Sequence, residues 1–451
     1  MKWLKRFAIV IGVLLVILAA LPFFISLDDY IPQIEKEVSA KLKEPVKIGG
    51  LRASMLPLPH VVIDGITVGK TGDLKVGKVI VTPNLLSLLG PVKVIRSLEI
   101  DSLVLTQKAV DKIPAWSKPE SGKPQPSQSQ PQVVVQSIRL DNALVHLDKI
   151  SFGPFDARLR LNSDGTPEDA SVTTRDGKLK AFIKPDKSNY LIDVSAKSWK
   201  FPAGPAILFD ELTIKGVATL SDANLNQVNA KLYGGTVTGK TSVGWRKGLQ
   251  LKGNFEVRQV ELKNLVPLLA PGKRMSGKLS AKPVFSANAA AAGQLMNALR
   301  LETPFNVQNG VLYGVDIEKS ATSLFSRDKA GGGETHFEVL SGHLGMERGT
   351  QRFTNLKIAS GSLAANGNVS ISPKKELSGR INAEVSAAKL ASASVPLNVS
   401  GTLDSPLLLP TGATLGGAAV GTAILGPLGT SAGAAVGSWA GSLFSRPDQK
   451  K

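Results

Sequence analysis

The chain has 451 residues, 43% of them hydrophobic, with 54 Lys and Arg residues against 36 Asp and Glu residues. This hydrophobic content excludes a wholly disordered chain, and the lack of cysteine excludes disulfides, thiol nucleophiles and thiolate metal ligands. The net charge of +18 suits an anionic partner, but no basic run is interleaved with aromatic residues, so the sequence predicts no nucleic-acid partner.

The first element is an apolar run over residues 7–25, preceded by Lys2, Lys5 and Arg6. A helix of this length spans about 28 Å, close to the hydrocarbon thickness of a bilayer. The basic flank should stay in the cytoplasm, which places the rest of the chain across the membrane. A cleaved signal peptide, cut near residues 19–20, is the alternative. The length of the run and the bulky residues after it favour an uncleaved anchor.

A short helix should follow the anchor, because apolar residues recur there at helical spacing. Asp28 lies where an N-cap belongs, and Pro45 discourages continuation of the helix. The apolar stripe consists of Ile31, Ile34, Val38 and Leu42.

From residue 46 the apolar period changes to two, which predicts half-buried antiparallel strands joined by short turns. We therefore expect a mainly β fold, an elongated and curved antiparallel sheet of repeated units with a few short helices. Segments 97–102 and 137–142 resemble each other, and 212–214 and 356–358 repeat their apolar–polar–apolar core. The repeated pattern predicts one continuous apolar interior, either an ordinary sandwich core or an open groove, lined by Leu98, Ile100, Ile138, Leu140, Leu212, Ile214, Leu356 and Ile358.

The remaining segments divide the chain into regions. Short helices are expected at 84–89, 263–270 and 289–299, and residues 114–132 read as a flexible linker rich in Pro, Ser and Gln. The predicted regions are an anchor at 1–27, a helix and β-region at 28–113, the linker at 114–132, a middle β-region at 133–282, a C-terminal β-region at 283–410 and a Gly-rich tail at 411–451.

Motifs for catalysis are weak. The four histidines, His60, His146, His336 and His343, show no paired-carboxylate pattern in the sequence. An S-x-x-K pattern begins at Ser326 but lacks the partner motifs that accompany it in acyl-transfer enzymes. The sequence therefore predicts no enzyme and no catalytic, cofactor-binding or metal-binding residue.

The tail carries no charge from Ser405 to Ser445, and its glycines recur every four residues. Pro427 divides it into two segments, each too short to cross a bilayer as a helix. We expect a helical hairpin over 411–444, packed on itself or on a second copy and partly embedded in a membrane; a flexible tail is the alternative. The expected packing residues are Gly417, Gly421, Gly429, Gly433, Gly437 and Gly441.

Several segments together resemble the AsmA family of bacterial envelope proteins. These are DYIPQIEKEV followed by VKIGGLR near the N-terminus, NAKLYGGTVTGKTSVGW (229–245), VRQVELKNLVPLLAPGKRMSGKLSAKPVFSA (257–287) and PFNVQNGVLYGVDI (304–317). The Gly-rich tail departs from the family pattern.

The resemblance implies an inner-membrane anchor, a β-rich body in the periplasm and a role in outer-membrane biogenesis. It also implies a lipid partner, expected to be phospholipid, carried in an apolar groove. The alternative is a non-enzymatic assembly or scaffolding factor for outer-membrane proteins that engages them through its strand edges.

Overall fold

The computed structural model describes residues 27–412, apart from 56–57, 117–131, 148–149, 203, 247, 291, 323–330 and 386–392. The chain divides into two compact units, residues 1–206 and 207–451. The predicted anchor at 7–25 and the packing glycines of the tail lie outside the described residues. Within the described ranges, no helix has both the length and the apolar character needed to cross a bilayer.

The described part of unit 1 consists of strands with two helices and two 3-10 turns. The helices are α1 (Ile31–Leu42) and α2 (Gln107–Trp116), and the turns are Asp28–Tyr30 and Leu85–Leu89. The strands β1 to β11 are, in order, Val46–Lys47, Gly50–Ser54, His60–Val68, Leu74–Pro83, Val92–Thr106, Gln132–Val135, Ser137–Leu147, Ile150–Leu161, Pro167–Thr174, Leu179–Asp186 and Asn189–Lys200.

Neighbouring strands of unit 1 are antiparallel, apart from two pairs that involve β5. Strand β5 pairs in parallel with both β6 and β7, so the prediction of a wholly antiparallel sheet is wrong. Parallel neighbours need a long crossover rather than a tight turn, and residues 107–131 supply it. Helix α2 occupies the start of this connection and packs against β5 and β7. The similar segments 97–102 and 137–142 are therefore side by side in the sheet.

Helix α1 covers the first edge of this sheet. Asp28 does not cap the helix as predicted; Tyr30 is the N-cap residue and makes no capping side-chain hydrogen bond. Edge strands leave backbone N–H groups unpaired, and such groups invite pairing with other chains. Here helix-side oxygens accept from three of them: Leu51 N–H donates to Asp28 Oδ1 (3.0 Å), Ile48 N–H to Glu35 Oε1 (2.8 Å) and Val46 N–H to Ser39 Oγ (3.0 Å).

Among its described residues, unit 2 contains two short helices, α3 (Leu262–Leu269) and α4 (Ile317–Thr322), and a 3-10 turn at Ala292–Gln294. The short helix predicted at 263–270 is thus confirmed. The one predicted at 84–89 is a 3-10 turn over Leu85–Leu89, and the one predicted at 289–299 is reduced to the three-residue turn Ala292–Gln294. The strands β12 to β24 are, in order, Leu208–Ala218, Asp222–Leu232, Gly235–Gly244, Leu249–Glu261, Lys278–Ala281, Val284–Ala289, Arg300–Val315, Gly331–Glu347, Thr350–Ala359, Leu363–Ile371, Leu377–Val385, Ala393–Gly401 and Pro406–Pro410.

The strand pairs of unit 2 are antiparallel, mostly between consecutive strands. Two short strands, β16 and β17, share the space between β15 and β18, and each pairs with both of them. Helix α3 buries Leu262 against residues of β18 and β19, and helix α4 buries Ile317 and Ala321 against β21 to β24. The mainly β fold with few helices is confirmed.

Candidate functional site: an apolar sheet face

The four predicted groove residues of unit 1 lie together. Leu98 is directly opposite Ile138, and Ile100 is directly opposite Leu140, on the parallel strands β5 and β7. Residues opposite each other share a face, and alternate residues of a strand return to it, so all four point to one side of the sheet. Glu99 and Arg139 are paired between them and point to the other side.

These four residues belong to two rows that cross nine strands. Each row continues through directly paired residues on every neighbouring strand from β2 to β11 except the four-residue β6. The Leu98 row consists of Ala53, Val61, Val81, Leu98, Ile138, Leu159, Ala170, Ile183 and Ile192. The Ile100 row consists of Leu51, Ile63, Val79, Ile100, Leu140, Ala157, Val172, Ala181 and Val194.

Every residue of both rows is apolar, yet few are fully buried. Leu51 and Val79 are each 8% exposed, and the other sixteen are half-buried. A well-packed core would remove most of this surface from water. Among the described residues of unit 1, the two rows therefore form an apolar face that is incompletely covered; we call it the apolar face of unit 1.

A line of left-handed residues, none of them among the predicted groove residues, lies beside this face in a repeated motif. Ile63-Asp64-Gly65, Ile100-Asp101-Ser102 and Leu140-Asp141-Asn142 each place an apolar row residue, an aspartate and then a residue with positive φ. The φ values are 66° at Gly65, 55° at Ser102 and 57° at Asn142. Gly, Ser and Asn are small, and Gly and Asn tolerate this conformation best. The recurring apolar–Asp–small triplet was the available signal.

The four predicted residues of unit 2 also share one face. Leu212 begins a row of directly paired apolar residues, and Ile358 lies in a second, adjacent row; Ile214 and Leu356 lie two positions along the same strands. The Leu212 row is Leu212, Ala230, Val237, Val257, Ala281 and Phe305. The Ile358 row is Val260, Leu279, Val307, Leu340, Ile358, Ala365, Ala383 and Val395.

The Ile358 row of unit 2 is covered, whereas the Leu98 and Ile100 rows of unit 1 are covered incompletely. Six of its eight residues are buried; Leu279 and Ile358 are half-buried. The cover comes from α3 and α4, whose apolar side chains pack on this row. The Ile358 row therefore behaves as a small protein core, while sixteen residues of the apolar face of unit 1 stay half-buried.

Charged groups form a separate cluster at the turn between β3 and β4. The buried Asp73 accepts hydrogen bonds from Thr71 Oγ1 (2.5 Å) and Lys112 Nζ (3.1 Å), and Lys112 also contacts Glu44 (2.7 Å). The Thr71 hydrogen bond and then Lys112 lower the pKa of Asp73. Glu44, followed by Asp73, raises the pKa of Lys112. These contacts join α2 and the segment after α1 to the sheet.

The histidines of unit 2 do have carboxylate partners, contrary to the sequence pattern. His336 Nε2 lies 2.8 Å from Glu334, and His343 Nε2 lies 2.6 Å from Glu302. Both pairs are exposed, and such surface pairs typically contribute about 0–1 kcal/mol. Across the part of the chain that the structure describes, no group of three His, Asp or Glu residues is placed to hold a metal ion.

Among the described residues, the fold combines antiparallel strands, the parallel pairs that β5 makes with β6 and β7, and an apolar face across nine strands of unit 1. The AsmA family model matches residues 146–356, so the chain is similar to this family over that range. Three of the segments that carried the resemblance, 229–245, 257–287 and 304–317, lie inside the matched range. No curated protein and no solved structure matches the chain.

Proposed function

We propose that this protein is a membrane-anchored envelope protein that handles lipid on its apolar sheet face, in support of outer-membrane biogenesis. The observation that carries the proposal is the apolar face of unit 1, with eighteen apolar residues in two rows and sixteen of them only half-buried. Covering such a surface with acyl chains is favourable, at about 0.8 kcal/mol for each methylene removed from water.

The dimensions of the face suit lipid chains. Nine strands at about 4.8 Å spacing extend roughly 40 Å, whereas one leaflet of a bilayer's hydrocarbon core is about 15 Å thick. Acyl chains of a phospholipid laid across the strands would fit within either row. Holding a lipid in this way needs shape and apolar area but no reacting group, so the proposed role is non-enzymatic.

The location forms part of the proposal. Residues 7–25 are proposed to anchor the chain in the inner membrane, with the body in the periplasm, because three basic residues precede the apolar run. A reporter active only after export, fused after Lys118, should be active. An active cytoplasmic reporter at the same position would reverse the proposed orientation.

The tail, residues 411–444, is proposed as a second membrane contact or a self-association segment. Its uncharged composition and four-residue glycine spacing support this role. Chains lacking residues 1–27, with and without 411–451, should differ in flotation with liposomes. If both chains are recovered equally in the unbound fraction, the tail does not bind the membrane.

The alternative, a scaffold that adds strands at its sheet edges, has less support. The first edge of unit 1 already has backbone N–H groups bonded to Asp28, Glu35 and Ser39. In unit 2, β24 is five residues long, and proline stands at both of its ends, Pro406 and Pro410. Proline and covered N–H groups are features that oppose edge-to-edge pairing.

The test measures lipid carried by the full chain. The protein is purified in mild detergent, and bound phospholipid is quantified by native mass spectrometry and by extraction. Ile100→Asp combined with Leu140→Asp places two charges on the apolar face and should lower lipid per protein at least about tenfold, because each charge opposes acyl contact. The matched control is Glu99→Asp combined with Arg139→Asp, which changes the opposite face of the same strands. Wild-type lipid content in the Ile100/Leu140 variant would contradict the proposal.

A further inference from the structure

A compact group of exposed leucines lies at one end of unit 1. In the 3-10 turn Leu85–Leu89, Leu85 is 51% exposed, Leu86 84%, Leu88 44% and Leu89 91%. Leu58, in the β2–β3 connection, is 47% exposed and lies at the same end, because β3 and β4 are antiparallel and Val61 pairs with Val81. Single exposed leucines are ordinary, but a cluster of this size on a loop marks an interaction surface. We call residues 84–90 the leucine turn.

The leucine turn is held in shape by its polar residues. Asn84 Oδ1 accepts from Leu86 N–H (3.2 Å), and Ser87 Oγ accepts from Val94 N–H (2.9 Å) while donating to Asn84 O (2.6 Å). Asn84 N–H also donates to Val94 O (2.8 Å), which ties the turn to the start of β5. The two polar side chains are bonded to the backbone, and the four leucines stay exposed.

The charge around the turn is positive. Between residues 84 and 96 the charged residues are Lys93 and Arg96, with no Asp or Glu. Lys93 Nζ donates to the carbonyl oxygens of Leu88 and Gly90, so this cation sits directly beside the exposed leucines. Apolar side chains flanked by cations suit the interface of a membrane with anionic phospholipids.

The start of the described chain lies on the same side of unit 1. Asp28, at the beginning of the helical segment, contacts Leu51 of β2, whereas Ser39, further along α1, contacts Val46 of β1. Strand β2 runs from Gly50 towards Ser54, which pairs with His60 next to Leu58. The helical segment therefore begins towards the leucine turn and ends away from it. The apolar run at 7–25 ends three residues before Asp28, a chain length of about 10 Å.

We propose that the leucine turn inserts into the interface of the phospholipid bilayer in which residues 7–25 are anchored. The turn and the anchor would then fix unit 1 at two points, with the sheet rising from the membrane. The inference shares the predicted anchor with the proposed function, but it holds whether or not the apolar face carries lipid.

The test exploits the absence of cysteine, which makes any introduced cysteine unique. Leu86→Cys and Leu89→Cys are made in the full chain, labelled with an environment-sensitive fluorophore and reconstituted into vesicles of phosphatidylethanolamine and phosphatidylglycerol. The matched control is Lys70→Cys, an exposed residue in the β3–β4 turn at the opposite end of the same strands. That turn is about 30 Å away along β4. All three sites are exposed, so the changes should not impair folding.

The expected result is a blue-shifted emission at residues 86 and 89, and quenching by lipid-borne spin labels at least about threefold stronger than at residue 70. Equal quenching at all three sites would overturn the inference. So would protection of residues 86 and 89 from an aqueous quencher without quenching by lipid, since a protein partner would then cover the turn. Bound lipid is measured on the same purified proteins in detergent, before reconstitution. A lipid-loaded protein with an unquenched turn contradicts this inference alone, and a quenched turn on a lipid-free protein contradicts the proposed function alone.

Discussion

Leu98 and Ile138 lie directly opposite each other on parallel strands, although forty residues separate them in the sequence. The same offset relates Ser102 to Asn142, whose side chains are hydrogen-bonded at 3.3 Å. The crossover that contains α2 therefore brings the chain back beside β5 as β7. The repeated segment of β7 is then in register with that of β5. In-register repetition puts equivalent apolar residues on one face, which is how two short repeats contribute to a surface nine strands wide.

This alternation predicts a pattern of lipid capture along β7. Photo-crosslinkers placed singly at Ile138, Arg139 and Leu140 of the full chain in native membranes should capture phospholipid at 138 and 140 but not at 139. The physical reason is that successive residues of a strand face opposite sides. Capture is read by mass spectrometry of the crosslinked protein. Equal labelling at all three positions would exclude a lipid-binding face. The two rows would then be part of an ordinary core.

The left-handed residue Asn142 predicts a difference between two substitutions. Asn142→Val should lower the free energy of unfolding by about 1–2 kcal/mol more than Asn142→Gly, since a β-branched side chain is strained at positive φ. Both variants lose the same amide hydrogen bonds, so glycine is the matched control for backbone strain. Urea unfolding followed by circular dichroism measures the difference. If both variants have the same stability, the strand lacks the left-handed kink in solution.

The edge contact of Glu35 predicts a stability cost that a neighbouring glutamate does not share. Glu35→Ala should destabilise the protein by about 1–2 kcal/mol, because the N–H of Ile48, between the edge strands β1 and β2, loses its charged acceptor. Glu37→Ala removes an exposed helix residue that contacts Gln33 and should change stability by about 0.5 kcal/mol or less. Thermal unfolding compares the two. Light scattering should also show more concentration-dependent association for Glu35→Ala, and its absence would mean that the edge is protected by other means.

The cluster of Asp73 and Lys112 predicts how stability depends on pH. The pKa of Asp73 is lowered by Thr71 and Lys112, so its contribution to stability is present above the unfolded value, about 3.9, and is lost as the pH falls through the lower folded value. The pKa of Lys112 is raised by Glu44 and Asp73, so its contribution is complete below about 10.4 and is lost as the pH rises through the higher folded value.

Asp73→Asn should therefore lower the unfolding midpoint at pH 7, and the difference from wild type should shrink as the pH falls below about 4. Asp29→Asn, which removes an exposed carboxylate in the same unit, is the charge-matched control. Midpoints measured by differential scanning fluorimetry from pH 3 to 8 give the comparison. A constant difference over that whole range would mean that the ionised Asp73 carboxylate does not stabilise the fold.

The sequence alone determined that the chain is mainly strands and which residues alternate to one side of each strand. It did so because the side-chain period of a strand is two wherever one face is apolar. The apolar–polar–apolar segments at 97–102 and 137–142 were therefore recognisable without any structure, and the helix at Ile31–Leu42 followed from its apolar stripe. Of the three predicted short helices, the one at 263–270 is a helix, and the one at 84–89 is a 3-10 turn.

Only the tertiary structure decided which strands are neighbours and which apolar residues remain accessible. The parallel pairing of β5 with β7 depends on a crossover, and local periodicity carries no information about strand partners. Likewise, Ile100 and Val307 have similar sequence surroundings, yet Val307 is 2% exposed and Ile100 is half-buried. The difference arises because α3 packs over Val307, and whether a short helix folds back onto a given row is set by long-range contacts.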